Sequence, residues 1–485
     1  MTMNNYRVPK IKSYGRLFVC IVLFGAFHSC VPTKTLKQED KSLPETYRAL
    51  SNDTLNTANT RWREFFSDPY LVSLIDTALV NNQELNIMLQ QIDIAQNEVK
   101  ARKGEYLPFI NVKAGADIEK VGEYTRNGTV EKNLNIREDE EFPEPLTNYS
   151  AGIFASWELD VWKKLRDSKK AAVMEYLATV EGKNFMVTNL IAEIADTYYE
   201  LIALDNQLAI IEQNLEIQGN ALRMVRLQKQ AARATELAVR RFEAEVLKNQ
   251  SHKFEVQQQI IETENKLNFL IGRSPQRVER NSEGFIESPI DPIYAGIPAQ
   301  LLQNRPDIRK AEFELEAAKL DIKVARANFY PSIGIKAGVG LQAFKPKYLT
   351  ETPQSLLYSA VGDLVAPLIN RNAIKAEYNT ANARQVQAVY EYEKSILQGY
   401  IEVANQLSNL DNLKKTYDLK AQQVEALTES INLSTQLFQS ARIEYIEVLF
   451  TQREALESKM ELIETKRDQL VTRVAIYQAL GGGWN

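Results

Sequence analysis

Two long stretches of the chain repeat apolar residues at helical spacing. No proline occurs between Pro145 and Pro275, and none follows Pro367. Because proline costs about 3 kcal/mol inside a helix, its absence permits very long helices. Apolar residues recur at steps of three, four or seven, with Gln, Glu, Lys and Arg between them. They are Leu208, Ile211, Leu215, Leu222 and Val225 in the first stretch and Leu449, Leu456, Met460, Ile463, Leu470 and Val474 in the second. The pattern predicts amphipathic helices of the kind found in coiled-coil hairpins.

Each helical stretch is interrupted once. The segments "QAARATE" (230–236) and "QSARIEY" (439–445) break the periodicity at a similar place in the two stretches. A helix of about 60 residues is roughly 90 Å long, far beyond a compact domain. We therefore predict two helical hairpins that act as spacers.

A second pattern, with period two, follows two prolines. The words "PFINVKAG" (108–115) and "PSIGIKAG" (331–338) begin 223 positions apart, and apolar residues alternate with polar or small ones for about ten residues after each proline. This alternation predicts β-strands. The expected partners are "SAGIFASWELDVW" (150–162), in which Trp157 and Trp162 suit an interfacial aromatic belt, and the segment 358–369, which contains Pro367.

The strand length admits two interpretations. About ten residues are enough to cross a bilayer at a tilt, but open strand edges in lipid leave backbone groups unpaired, so membrane strands close into barrels of at least eight. Four strands per chain then require an oligomer. The alternative is a small sheet in a soluble domain.

The N-terminal region predicts export. Residues 1–16 carry four basic residues and no acidic one, and the apolar run "LFVCIVLFGAF" (17–27) follows. Cys30 follows this run after His28 and Ser29 and resembles a lipobox cysteine, which is acylated and becomes the first residue of the mature chain. The alternative is an ordinary signal with a chance cysteine. Removing residues 1–29 leaves one cysteine, so no internal disulfide is possible, and a net charge of −9, which disfavours nucleic acid as a partner.

Four words carry a resemblance across nearly the whole mature chain: "WREFFSDPYLVSLIDTAL", "RPDIRKAEFELEAAKLDIKVARANFYPSIGI" with Arg305 to Ile308, "LIGRSP" and the terminal "ALGGGW". They resemble the TolC-like outer-membrane efflux proteins, in particular the NodT-type lipoprotein branch that serves RND pumps. The resemblance implies a mainly α-helical fold with a membrane β-barrel portion. Three chains would build one hollow α-barrel in the periplasm and contribute four strands each to a shared twelve-stranded β-barrel in the outer membrane.

The resemblance also implies an internal duplication. We expect a lipoprotein signal peptide at 1–29, a lipidated linker at 30–60, a first efflux repeat at 61–271 and a linker at 272–300. A second repeat would occupy 301–480 and a short tail 481–485. Each repeat would contain a helix, a β-hairpin and a long helical hairpin. The link between the first two strands, 120–149, contains "EDEE" and is interpreted as a solvated loop, with partial cover of the channel mouth as the alternative.

The resemblance places control and docking at the helical turns. In the family, the helices of the second repeat close the tunnel by polar and charged contacts, which gives as gate candidates Glu429, Asn432, Arg442, Glu444 and Glu447. The adaptor-docking candidates are Ala231, Ala234, Thr235, Ala441 and Tyr445. An acidic ring at the gate would favour cations. Each of these residues also suits an ordinary solvated helix end.

The predicted function is passage rather than catalysis. The chain has no GxxxxGK[ST] phosphate loop, and only two histidines, so no catalytic residue, metal or cofactor is expected. The expected partners are two further copies of the chain, a periplasmic adaptor, an inner-membrane RND-type pump and outer-membrane lipid. The alternatives are a type I secretion duct for proteins and a lipid-anchored coiled-coil scaffold without a pore.

Overall fold

The computed structural model describes residues 34–47, 55–367, 371–440 and 442–484. The predicted signal segment, Cys30, Ile369 and Ala441 lie outside this part of the chain. The described residues form two compact units. One contains residues 34–38, Ile94–Tyr176 and Glu314–Val389, and the other contains Leu177–Phe313, residues 390–484 and the described residues of 39–93.

The two proline-free stretches contain the four longest helices, at Lys164–Gln230, Glu236–Leu270, Asn372–Gln439 and Tyr445–Ala479. The helices are α1 (Trp62–Phe65), α2 (Pro69–Asn81), α3 (Gln83–Glu105), α4 (Arg126–Asn133), α5 (Lys164–Gln230), α6 (Glu236–Leu270), α7 (Leu301–Asn304), α8 (Pro306–Ala327), α9 (Asn372–Gln439) and α10 (Tyr445–Ala479). The predicted interruptions are the α5–α6 and α9–α10 turns. Among the described residues, no helix combines the length and the apolar character needed to cross a membrane.

Four strands form one antiparallel sheet in the order β1-β4-β5-β6. The strands are β1 (Phe109–Glu119), β4 (Leu146–Leu159), β5 (Ser332–Ala343) and β6 (Leu356–Val365), and a separate hairpin consists of β2 (Asn135–Arg137) and β3 (Glu140–Glu141). The fold class, long helices with four antiparallel strands per chain, is as predicted. The sequence did not predict that β4 and β5 pair, for example Gly152 opposite Gly340, and thereby join the two hairpins.

The strand boundaries differ slightly from the predicted ones. The strand predicted at 150–162 begins four residues earlier and ends at Leu159, so Trp162 lies beyond it. The strand predicted at 358–369 begins at Leu356 and ends at Val365, two residues before Pro367. Proline has no amide hydrogen to donate to a neighbouring strand, which accounts for the early end.

The main core lies in the second unit. It is built from α1, α2, the middle of α5, the end of α6 and the end of α10, and Leu71, Ile75, Ile194 and Leu267 are fully buried in it. Phe65 stacks on Tyr477 with ring centroids 4.1 Å apart. The periodic residues predicted to face inward follow this pattern, since Ile211, Leu222, Val225, Ile463, Leu470 and Val474 are all buried.

Residues 34–47, which we call the N-terminal strap, contact α9 along their length. In the first unit the Lys34 amide donates to the Tyr378 hydroxyl at 3.1 Å, and Gln385 donates to the Lys37 carbonyl at 2.8 Å. In the second unit Tyr47 stacks on Tyr400 with centroids 5.5 Å apart.

Candidate functional site

The two faces of the four-stranded sheet have opposite character. Residues directly opposite each other in paired strands share a face, so the register assigns every side chain. One face, which we call the apolar face, is formed by Ile110, Val112, Ala114, Ala116, Ile118, Thr147, Tyr149, Ala151, Ile153, Ala155, Trp157, Leu159, Ile333, Ile335, Ala337, Val339, Leu341, Ala343, Leu356, Tyr358, Ala360, Gly362 and Leu364. It contains no charged residue, and Ile110, Val112, Ile153, Val339 and Tyr358 on it are largely exposed.

The opposite face, which we call the polar face, carries all six charged residues of these strands. They are Lys113, Asp117, Glu119, Glu158, Lys336 and Asp363. Lys336 forms a salt bridge with Asp363 at 3.0 Å, and Glu158 one with Lys164 at 3.5 Å. Since charges avoid hydrocarbon and apolar side chains avoid water, this arrangement fits a sheet between lipid and an aqueous lumen.

Two tryptophans mark one end of the sheet. Trp157, on the apolar face, donates its indole N–H to the Tyr106 carbonyl at 3.1 Å, and Trp162 donates to the Pro331 carbonyl at 2.7 Å. Trp162 also stacks on Tyr330 with ring centroids 4.7 Å apart. Both indoles remain more than one third exposed, with a polar end satisfied and an apolar ring outside, as in an interfacial belt.

The loops at the other end of the sheet are folded and joined. The link interpreted as a solvated loop contains α4 and the β2–β3 hairpin, and most residues from 121 to 140 are exposed. The Tyr348 hydroxyl donates to Glu140 at 3.0 Å, and the guanidinium of Arg137 lies over the Tyr348 ring at 4.3 Å and pairs with Glu351 at 3.4 Å. These contacts connect the acidic loop to the β5–β6 loop about 210 residues away in sequence.

The two helical turns lie side by side in the second unit. Leu222, Val225, Val239, Phe242 and Leu449 form one buried cluster, against which Ala234 and Tyr445 pack. The Phe242 and Tyr445 rings have centroids 6.4 Å apart. Two of the docking candidates, Ala234 and Tyr445, are thus brought together.

The other docking candidates lie in or beside the α5–α6 turn. Ala231 and Thr235 are exposed, and the Thr235 hydroxyl caps α6 by accepting from the Ala238 amide at 3.2 Å. Ala441 lies outside the described residues. The tight turn passes through Ala232, which has a φ of 53°.

All five gate candidates are exposed in the single chain. Glu429 and Asn432 lie near the end of α9, Arg442 and Glu444 in the α9–α10 turn, and Glu447 in the first turn of α10. This side of the turn therefore presents three carboxylates and one guanidinium to solvent.

A buried joint brings together two of the words that carry the resemblance. Arg305 is 4% exposed, holds Asp307 in a bidentate pair at 3.0 and 2.6 Å, and donates to Glu402 at 2.7 Å and to the Ala479 carbonyl at 2.9 Å. Trp484 donates to the Asn304 carbonyl at 3.2 Å. The words "RPDI" and "ALGGGW" are thus in contact, and sequence reasoning had assigned neither a role.

Glycines permit this joint. Gly481 has a φ of 88°, and a Cβ there would meet the Asn304 carbonyl, while a Cβ on Gly399 would lie 3.1 Å from Nε of Arg305. Across the described ranges, no group of three or more His, Cys, Asp or Glu residues is arranged to hold a metal ion.

Comparison with known proteins identifies the family. The family described as outer membrane efflux protein matches residues 74–273 and 297–482. The chain is 29% identical over 433 residues to the solvent efflux pump outer membrane protein SrpC of Pseudomonas putida, with 89% of each chain covered. It is 27% identical over 476 residues to the pyoverdine export outer membrane protein OpmQ of Pseudomonas aeruginosa, with 98% of this chain and 97% of the relative covered.

A solved structure shows the same fold. The open state of the MtrE outer membrane channel of Neisseria gonorrhoeae superimposes with a TM-score of 0.82 at 23% identity, and 94% of this chain and 99% of that chain are covered. Because the family match spans most of the chain, the protein belongs to the outer membrane efflux protein family and is an outer-membrane channel of an efflux system, not an enzyme.

Proposed function

We propose that three copies of this chain form a passive exit duct for small molecules. The observation that carries the proposal is the two-faced sheet, whose edge strands β1 and β6 each have one unpaired side. In lipid these edges must pair with other copies. Two copies would give eight strands, whose interior is filled by side chains, whereas three give twelve and leave room for a lumen.

The two faces of the sheet and the resemblance together suggest how the chain is oriented in the outer membrane. The apolar face contacts lipid, the polar face lines the lumen, the tryptophan end lies at the periplasmic interface and the joined loops lie outside the cell. The long helices then extend into the periplasm, where an adaptor connects them to an inner-membrane RND-type pump. The named roles of the two relatives, in solvent efflux and in pyoverdine export, support small molecules as the cargo.

The trimer predicts which strands meet between copies. Val112→Cys on β1, combined in turn with Tyr358→Cys, Ala360→Cys and Gly362→Cys on β6, is expected to give a covalent trimer in one combination, since a disulfide requires Cα atoms roughly 4.4–6.8 Å apart. Oxidised membranes would be analysed on denaturing gels. The matched control is Ile153→Cys on the inner strand β4 with the same partners, which should stay monomeric.

The purified protein should also conduct ions in planar bilayers. A cross-linked product that stops at two copies, or a folded protein that gives no conductance, would contradict the proposed duct.

We also propose two roles for the helical turns, adaptor docking and control of the tunnel. The α5–α6 turn, with Ala231, Ala234 and Thr235, and the neighbouring Tyr445 and Ala441 would dock the adaptor. The exposed charges of Glu429, Arg442, Glu444 and Glu447, with Asn432, would set the closed state of the tunnel. Both proposals rest on the resemblance, and the exposure of Ala231, Thr235 and the five gate candidates supports them.

Two variants distinguish docking from gating. Ala231→Arg places a large charge on the proposed docking surface, so we expect susceptibility to efflux substrates to rise to that of a deletion strain while bilayer conductance is unchanged. Glu444→Lys reverses one charge in each of three copies, so we expect a higher open fraction in the bilayer. Lys248→Ala, exposed on α6 away from the turn, serves as the control. Unchanged behaviour of both variants would remove both roles.

We further propose that Cys30 is acylated. The strap fixes Lys34 to Tyr378, only six residues after α9 begins, and α9 is the helix that follows β6. Four residues reach at most about 14 Å from Lys34, so an anchor at Cys30 would remain near the sheet end of the helix. Labelled palmitate should be incorporated into the wild-type protein and not into Cys30→Ser. Equal labelling of the two would show that Cys30 is not the acylation site.

A further inference from the structure

One aromatic residue lies in the middle of the polar face. Phe154 is in register with Asn111 on β1 and Gly338 on β5, and Gly338 in turn with Ser359 on β6. Its ring lies directly on Gly338, because a Cβ at that position would be 2.5 Å from the ring. The phenyl ring thus covers Gly338, in a row that otherwise contains Asn111 and Ser359.

Glycines also form the next row of the same face. There, Lys113 is opposite Gly152, Gly152 opposite Gly340, and Gly340 opposite Leu357. The backbones at Gly152 and Gly340 are so close that a Cβ on either would lie within 2.8 Å of the other glycine's Cα. Beside the Phe154 ring, Gly152 and Gly340 therefore leave a strip of bare backbone between Lys113 on β1 and Leu357 on β6.

This strip of bare backbone has one amine at its edge. The ammonium of Lys113 lies 5.6 Å from the centroid of the Phe154 ring, within the range of a cation–π contact. The other lysine of the strands, Lys336, has an aspartate at 3.0 Å instead. An exposed cation–π contact contributes only about 0.5–1 kcal/mol. The aromatic ring of a ligand can therefore replace the Lys113 ammonium on the face of Phe154, while an anionic group of the same ligand pairs with that ammonium.

We infer that Phe154 and Lys113 form a binding subsite on the channel wall for amphiphilic aromatic anions. The ring of the solute would stack on Phe154 beside the strip of bare backbone, and its anionic group would pair with the Lys113 ammonium. The inference rests on the proposed trimeric duct, in which three such subsites face one lumen at the same height. An aromatic cation would be repelled by the same amine, and an aliphatic anion would lose the stacking.

The subsite is tested by block of single-channel current in planar bilayers. The probes are 2-naphthalenesulfonate, cyclohexanesulfonate as the aliphatic anion, and naphthylmethylammonium as the aromatic cation. We expect 2-naphthalenesulfonate to block the wild-type channel best. Phe154→Leu or Lys113→Gln should raise its half-blocking concentration about five- to tenfold, the size expected for loss of one aromatic or cationic contact.

Control variants separate this effect from misfolding. Phe154→Trp keeps an aromatic surface and should retain the block, and Ser150→Ala, on the same face of β4, should behave as wild type. Equal block of the wild type and Phe154→Leu by 2-naphthalenesulfonate would overturn the subsite while leaving the duct intact. Equal block by the aromatic cation would overturn the anion preference. A wild-type protein without conductance would remove the duct and the subsite together.

Discussion

Arg305→Ala is expected to lower the free energy of unfolding by about 3–5 kcal/mol, the largest loss among the substitutions considered. The guanidinium is almost fully buried and makes four hydrogen bonds, to Asp307, Glu402 and the Ala479 carbonyl. Removing it leaves the carboxylate of Asp307, which is partly buried, without its bidentate partner. It also frees the end of α10, which Arg305 holds through Ala479.

Two further variants show what part of the effect comes from geometry. Arg305→Lys keeps the charge but cannot make the bidentate pair, so it should lose part of the stability. Arg240→Ala removes a guanidinium that is 69% exposed and bonded to Glu236 and Glu243, and should change stability far less than Arg305→Ala does. Chemical denaturation followed by circular dichroism measures all three. If the Arg305→Ala protein is as stable as the Arg240→Ala protein, the contacts of Arg305 do not contribute the predicted stability.

The helical part of the fold could be predicted because its signals are local. Proline-free windows and steps of three and four residues depend only on neighbouring positions, and Ile211, Val225 and Ile463 are buried as that spacing requires. The turns at 231–235 and 440–444 were recognisable as interruptions of the same period. The alternation after Pro108 and Pro331 was equally local.

Contacts between distant segments could not be predicted in this way. The pairing of β4 with β5 and the joint between Arg305 and Ala479 depend on how segments far apart in the sequence meet. The contact of Tyr348 with Glu140 requires the β5–β6 loop to reach back over 208 residues. Periodicity carries no information on such pairs, although the words "RPDI" and "ALGGGW" indicated positions of special importance.

The same distinction between local signals and distant contacts applies to the candidate sites. Alternation along each strand predicted which side chains share a face, but only the register across four strands showed that all six charges lie on one side. Phe154 fits the apolar character of its strand, so nothing in the sequence indicated a binding role for it. Its position became informative once Gly338 was seen beneath its ring.

Asp196→Asn is expected to stabilise the protein above neutral pH and to have a much smaller effect in mild acid. Asp196 lies on α5, and its Oδ1 is buried without a hydrogen-bond partner in the described part of the chain. Burial raises the pKa of this carboxyl to about 7, nearby Glu193 adds to the rise, and Lys266 opposes it. An aspartate in an unfolded chain has a pKa of about 3.9.

The sign of the pH dependence follows from these two pKa values. Between about pH 4 and pH 7 the native state binds a proton that the unfolded state has released, so stability falls as the pH rises through this window. Between pH 5 and pH 8.5 the wild type therefore loses roughly 3 kcal/mol of stability. Asparagine is neutral throughout and avoids this loss, so the difference between Asp196→Asn and wild type should grow by that amount from pH 5 to pH 8.5. Denaturant titrations at the two pH values measure it, with the exposed Glu216→Gln as the control. A difference that does not change with pH would show that Asp196 is already ionised at pH 5.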